Sequence, residues 1–437
     1  MIRVKQQWGI IILALVSIVY LIVYLIVFLI NNYEKSEEVI EIHFAERIHS
    51  PHITLIDRFN KLHKGKIKVV PINFPNIDFS TNERKELLAR FLRGGSDNID
   101  LFAVDVIWVK RFAKWCEPLD EYFTTEEKAT FIDPALRSCY SDGNLVAVPL
   151  DMVYSIMYYR EDLINQLPDS DEVIKKLKNN ITWEEFVELG KNIKSDNPFY
   201  IFPGADYEGM ICSFMDLILS IDRNYFEKYG FDFNRPEAEK SLRLLVDLVN
   251  KHELTPSKVA DFTEVPSYKH FIEQNGLFLR GWHTYDKDFE ESPYDPLKES
   301  QLKRVPIPYF KDHNPGAVFG GWDLMVSKFS KNKEAVIKFL KFLVSCESQE
   351  LFYEYGGYFP IRKELYEDSV YAKKYPELIK GREMFNHGLN RPSHENYTRY
   401  SEIMSHYFHQ AINNKIEVKE ALKLATTAIK NNQIVIK

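Results

Sequence analysis

Residues Trp8 to Ile30 read WGIIILALVSIVYLIVYLIVFLI, without a single charge. A helix rises about 1.5 Å per residue, so this run can cross a hydrocarbon core of about 30 Å. It is apolar around its whole circumference, whereas a helix packed on a globular core keeps a solvent face. Arg3 and Lys5 precede it, and Asn31, Asn32, Glu34, Lys35, Glu37 and Glu38 follow. The positive-inside rule then holds residues 1–7 in the cytoplasm and puts everything after Asn31 outside. A cleaved secretory leader has a shorter apolar region that closes on small residues. This one closes on Val27, Phe28, Leu29 and Ile30, and no cysteine follows it for lipid attachment. The expectation is an uncleaved transmembrane anchor at 8–30, a linker at 31–38, and a remainder with no second span. The protein would then sit in the cytoplasmic membrane as a single-pass chain, its large domain in the periplasm or at the cell surface.

At 437 residues and 45% hydrophobic composition the chain exceeds one ordinary core, so two lobes are expected. The net charge of -7 and the absence of a long basic run argue against nucleic acid. Aromatic residues make up 14%; they either fill cores or line a cleft. Cys116, Cys139, Cys212 and Cys346 form no CxxC pair and show no metal-ligand spacing. In an oxidising compartment Cys116 and Cys139 could pair, a bond worth about 2–4 kcal/mol; four buried thiols are the alternative. No Walker A motif is present, which excludes the ATPase of a transporter, and there is no HExxH, GxSxG or GxGxxG. No spacing singles out a glycoside-hydrolase carboxylate pair. No cofactor or metal is expected.

Along the chain, Val39 to Phe44 alternates like a strand, with Ile40, Ile42 and Phe44 on one face. Thr54 to His63 has helical spacing, Ile67 to Val70 is extended, Glu83 to Arg93 is helical, and Asp100 to Val106 reads as a buried strand. Such alternation argues for a parallel α/β sheet, whose ligands sit outside the carboxyl ends of the strands. Helices dominate from Trp183 to Gln274. Strands return at Gly276 to Trp282 and Leu324 to Ser327, and Glu334 to Tyr355 reads as one strong helix. In ITWEEF, Thr182 and Glu185 have the spacing of a capping box.

Several segments, in this order, resemble family 1 extracellular solute-binding proteins of ABC importers. They are GGSDNIDLFAVDVIWVKRFAKWCEPLDEYF (94–123), NLVAVPLDMVYSIMYYREDL (144–163), ITWEEFVELGKNI (181–193) and FGGWDLMVSKFSKNKEAVIKFLKFLVSCESQELFYEYGGYFPIRKELYED (319–368). PGADYEGMICSFMDLILS (203–220), GLFLRGWHTYDKD (276–288) and RPSHENYTRYSEIM (391–404) are similar to the trehalose/maltose-binding subgroup. The resemblance implies an α/β, two-lobed periplasmic-binding-protein fold of class II type, closing by a hinge. The lobes would be 39–148 plus 309–357 and 149–308 plus 358–437, with crossovers near Pro149, Pro308 and Gly357.

It also implies a function and a site. The function would be capture of a small carbohydrate, a disaccharide such as trehalose or maltose, for the permease subunits of an ABC importer. A sugar-sensing receptor of the same fold and a glycoside hydrolase are the alternatives. A sugar presents apolar C–H faces to aromatic rings and a hydroxyl rim to charged groups. The resemblance places Trp282 and Trp322 as stacking residues, with Trp108 and Tyr154 as further candidates. It puts Asp105 and Asp151 as hydroxyl-binding carboxylates and Arg391 as a fork to adjacent hydroxyls. Glu208 and Gly209 open a helix, where free N–H groups and a small residue admit a ligand, and Glu46 follows the first strand. Core packing for the aromatics, helix capping for the carboxylates and an internal ion pair for Arg391 are the competing readings. His43 and His283 are expected to pack or face solvent.

Overall fold

The computed structural model describes residues 13–27, 39–74, 81–95, 99–193, 196–288, 294–376, 378, 381, 382, 385 and 388–434. Residues 13–27 are helical and exposed along their whole length. The flanks of the expected anchor, 8–12 and 28–30, and the linker 31–38 lie outside the described residues. Among the described residues, no helix is long and apolar enough to cross a membrane.

The described residues form thirteen strands: β1 (Ile40–Glu46), β2 (Ile67–Asn73), β3 (Leu101–Asp105), β4 (Tyr140–Ser141), β5 (Asn144–Leu145), β6 (Val148–Pro149), β7 (Val153–Arg160), β8 (Tyr200–Ile201), β9 (Phe278–Trp282), β10 (Leu302–Val305), β11 (Ala317–Gly320), β12 (Trp322–Val326) and β13 (Gly388–Leu389). The first sheet runs β2-β1-β3-β12-β6, the second β13-β11-β7-β9-β8 with β10 beside β7. β1 is parallel to β2 and β3, and β12 closes antiparallel on β3. Ile42 and Phe44 point from β1 into a core with Leu55 and Phe59 of the helix Ser50–Leu62 and Phe339 of the helix Lys333–Leu343. All eight residues of β7 are buried, as expected of a central strand covered on both faces. A second core joins Phe186, Phe214, Phe278, Leu242 and Phe408.

Two strand connections tie the sheets together. The chain leaves the first sheet after Pro149 and enters the second at Val153. It returns between Gly320, paired with Val153, and Trp322, paired with Asp105. The return therefore lies at Gly320–Gly321, not near Pro308, because β11 still belongs to the second sheet. Gly321 has φ +142, and a Cβ there would stand 2.5 Å from the Asp151 carbonyl oxygen. Only glycine fits where the two connections touch. The third passage also comes later than Gly357. Ile361 still accepts from the Ile132 N–H and Lys363 donates to Thr130, both in the first lobe, whereas Gly388 and Leu389 join the second sheet.

The long helix expected from Glu334 to Tyr355 is two helices, Lys333–Leu343 and Cys346–Gly356. Ser345 divides them: its hydroxyl donates to the Phe342 carbonyl and accepts from the Ser348 N–H. The Thr182–Glu185 capping box forms with both of its hydrogen bonds. All four cysteines are free thiols, so Cys116 and Cys139 are not bridged.

Candidate ligand-binding cleft

Parallel strands deliver their last residues to one edge of the sheet. Glu46 ends β1 and Asp105 ends β3, while Trp322 opens β12 directly opposite Asp105. From the other lobe, Trp282 ends β9, and Glu208 and Gly209 begin the helix Glu208–Ile221. These residues, with Asp151 and Arg391, line an interlobe cavity of about 420 Å³. A larger cavity of about 770 Å³ shares Asp151, Gly320 and Arg391 with it and is also lined by Met152 and Phe319; no tryptophan lines it.

Trp282 and Trp322 are both partly exposed in the 420 Å³ cavity. The Arg84 guanidinium lies 4.3 Å from the Trp322 ring centroid, and that of Arg280 4.6 Å from Trp282. A cation thus backs one face of each ring. Gly320 lies against Trp282, where a Cβ would come within 3.1 Å of the ring. Trp108 and Tyr154 do not line this cavity. Trp108 is 2% exposed and sets its ring edge-to-face with Trp322 at 6.4 Å. Tyr154 stacks on His283 at 4.6 Å, in the core. Packing against neighbouring rings accounts for both.

Arg391 is not a free fork. One terminal nitrogen donates to Asp105 at 2.6 Å and the other to Glu208 at 2.9 Å, while its buried Nε has no partner. Glu208 further accepts from the Tyr397 hydroxyl at 2.9 Å and from Ser401. The competing reading, an internal ion pair, describes Arg391, and it spans the two lobes. Gly209 also has an internal reason: a Cβ would overlap the Tyr207 hydroxyl, 1.9 Å away. Glu46 is 5% exposed and stands 3.9 Å from Arg84. Asp151 is 3% exposed, and its Oδ1 has no hydrogen-bond partner.

The cavity also holds residues that the sequence did not single out. Arg47 of the first lobe pairs with Asp288 of the second. Tyr358 joins them, accepting from Arg47 and donating to Asp288, both at 3.0 Å. His49 lies 2.9 Å from the Tyr358 hydroxyl. Glu264 and Tyr207 complete the second lobe's wall. Lys85 and Glu402 tie the lobes once more, at 3.1 Å. Arg47 adjoins Glu46 at the strand end, so strand position was a usable signal for it. Arg84, Glu264 and Asp288 come from helices brought in by the fold, with no local signature.

Burial dominates the titration of these groups. It pushes Asp151 well above the usual carboxylate range, with Glu46 and Asp323 adding repulsion. It raises Glu46 and Glu208 against the opposing pull of Arg84 and Arg391, and raises Glu264 as well. Burial also lowers His49, and takes His52 down to about 3, so both rings are neutral. The cleft thus combines two aromatic faces with many oxygen acceptors. Among the described residues, no group of His, Cys, Asp and Glu could hold a metal ion.

Two α/β lobes joined by crossing strands, with a lined cavity between them, define a protein that binds a solute by closing on it. The chain belongs to the bacterial extracellular solute-binding protein family, whose model matches residues 53–350. Its members are binding proteins, not enzymes. The chain is 23% identical over 354 residues to a probable ABC transporter-binding protein of Deinococcus radiodurans, covering 78% of this chain and 80% of that one. It is 22% identical over 320 residues to an arabinooligosaccharide-binding protein of Halalkalibacterium halodurans, covering 70% and 67% respectively. Among solved structures, maltose-bound MalE3 of T. maritima superposes with a TM-score of 0.78 at 28% identity. That match covers 90% of this chain and 100% of the other.

Proposed function

We propose that this protein captures a disaccharide-sized sugar in the interlobe cleft and passes it to an ABC importer at the outer face of the membrane. One observation carries the reading: Trp282 and Trp322, from different sheets, share a 420 Å³ cavity while each is only partly buried. Two such rings can sandwich the C–H faces of a sugar, and the volume falls in the range of small-molecule sites. Hydroxyls then meet Asp151, Glu46 and the paired carboxylates Asp105 and Glu208. Gly209 keeps the second lobe's helix close. The maltose of the similar T. maritima structure and the arabinooligosaccharide of the H. halodurans relative support a sugar. Ligand contacts to both lobes draw the open–closed equilibrium towards the closed state.

The run Trp8–Ile30 is the tether in this proposal, with the binding domain outside the cell membrane. Its exposed, uncharged helical middle, 13–27, is the supporting feature. Thermal unfolding of residues 33–437 across a panel of sugars tests the ligand. A sugar at 100 times its dissociation constant should stabilise the fold by about 2.7 kcal/mol. A panel in which only peptides or polyamines shift the midpoint refutes the carbohydrate reading.

A further inference from the structure

Arg280 is a costly residue for its place. It is 1% exposed and does not line the cleft cavity. Its side chain makes one hydrogen bond, from Nε to Asp216 at 3.0 Å, and both terminal nitrogens are buried without a hydrogen-bond partner. Burying donors that bond to nothing is unfavourable, and a Met or Leu would fill the same core without that cost. The guanidinium therefore needs a second reason to be there.

Trp282 supplies one. The two residues are two apart on β9, so they share a face of the sheet. The guanidinium carbon lies 4.6 Å from the Trp282 ring centroid, within cation–π range. Arg280 is buried and Trp282 is partly exposed in the cavity, so the cation takes the inward face of the ring and leaves the other open. Asp216, on the helix Glu208–Ile221, holds the guanidinium in turn. Besides Arg280 of β9 it accepts from the Ser155 hydroxyl of β7 and, at 2.9 Å, from the Val318 N–H of β11. One buried carboxylate thus ties three neighbouring strands, and β11 runs into the return passage at Gly320–Gly321. Gly320 itself rests against the edge of the Trp282 ring.

We propose that Arg280 is a positioning residue: anchored by Asp216, it fixes the Trp282 ring at the cleft and ties it to the strand that enters the hinge. This deepens the carbohydrate reading and rests on it. A ring already held in its stacking position loses less freedom when a sugar lands on it.

The test uses the full chain in detergent and the pair of substitutions Arg280→Met with Asp216→Asn, which removes both buried charges together. Acrylamide quenching of tryptophan fluorescence is read without ligand, and the share of Trp282 is the difference from the same protein carrying Trp282→Phe. In the paired variant that share should be quenched more strongly, with its emission moved to longer wavelength. Calorimetric titration with maltose and trehalose should show affinity lowered about tenfold. In the Trp282→Phe background the same pair should change affinity less than about twofold. Arg280→Lys keeps the charge and loses the flat stacking face. It should move both readouts in the same direction, and it carries the test if the paired variant does not fold. Ser155→Ala removes another donor to Asp216 without touching Trp282; it should lower the melting point and leave the quenching unchanged. Unaltered quenching of Trp282 in the folded Arg280 variants overturns the positioning role. An equal loss of affinity in both backgrounds also overturns it, since Arg280 then acts on the fold and not through Trp282. If the wild type binds neither sugar, the carbohydrate reading fails, and the quenching still decides whether Arg280 holds the ring.

Discussion

Trp282 and Trp322 differ from the chain's core tryptophans in one measurable way: their rings are left partly open, each backed by an arginine. Trp183 and Trp108 are buried. A partly open ring costs the fold less on removal than a buried Trp, which costs about 3–5 kcal/mol on truncation to Ala. Trp282→Ala should therefore weaken sugar binding at least 100-fold and move the ligand-free melting point by less than about 2 °C. A drop of 8 °C or more would mean that Trp282 is core. Asp323, beside Trp322 on β12, carries a different prediction. It is fully buried, and burial lifts its carboxyl to about 7, with Ser138 and Cys139 pulling it down. In the unfolded chain an Asp titrates near 3.9. Folding then takes up a proton between those values. The stability is fully present below about 3.9 and is lost as pH rises through 7. Between pH 5 and pH 8 the loss should be about 2–3 kcal/mol, and Asp323→Asn should remove most of it in urea unfolding. An unchanged pH slope in that variant would contradict the assignment. At this scale the sequence was informative where residues end strands: Glu46, Asp105, Trp282 and Trp322 all line the cavity. It could not show that Arg391 is spent on Asp105 and Glu208, since those pairings depend on three separated segments meeting.

The crossing strands are the element on which function turns. Leu150 donates to the Trp322 carbonyl at 2.8 Å, so the two passages run side by side, and Val106, just after β3, donates to the Gly321 carbonyl at 3.2 Å. Gly321 has no tolerated substitute, because its φ of +142 and the 2.5 Å approach to Asp151 act together. Gly321→Ala should cost more than about 1 kcal/mol of stability and weaken sugar binding, while Gly94→Ala, where a Cβ would meet only ordinary contacts, should leave binding unchanged. Equal effects on binding would remove Gly321 from the hinge. The element pattern was readable where it was local. The capping box at Thr182 and the β1, β3 and β9 strands follow from alternation and cap chemistry. The split at Ser345 was hidden because an apolar stripe continues through it, and a serine hydroxyl breaks a helix only once its neighbours place it at a cap. The passage at Gly320–Gly321 was displaced to Pro308 for a similar reason: which sheet β11 joins is a tertiary fact.

On the scale of the whole molecule, three ion pairs among the described residues tie the lobes: Arg47–Asp288, Arg391–Asp105 and Lys85–Glu402. The Arg391 pair is the most deeply buried of the three, and its loss leaves buried Glu208 and partly buried Asp105 without their cation. Arg391→Gln should cost about 3–5 kcal/mol, read as a lowered midpoint in denaturant. A change below about 1 kcal/mol would show that the pair is dispensable. The tether is a separate matter, since the uncharged run is legible in the sequence alone. The full chain should pellet with membranes and resist salt extraction, and residues 33–437 should not. In the proposed closed state both lobes grip one sugar between Trp282 and Trp322. Calorimetric titration of the wild type, Trp282→Ala and Trp322→Ala with maltose and trehalose tests it most directly. The expected result is one site per chain in the wild type for at least one of the two sugars, and its loss in both variants with the fold intact. Binding that survives both substitutions, or the absence of any sugar heat in the wild type, would contradict it.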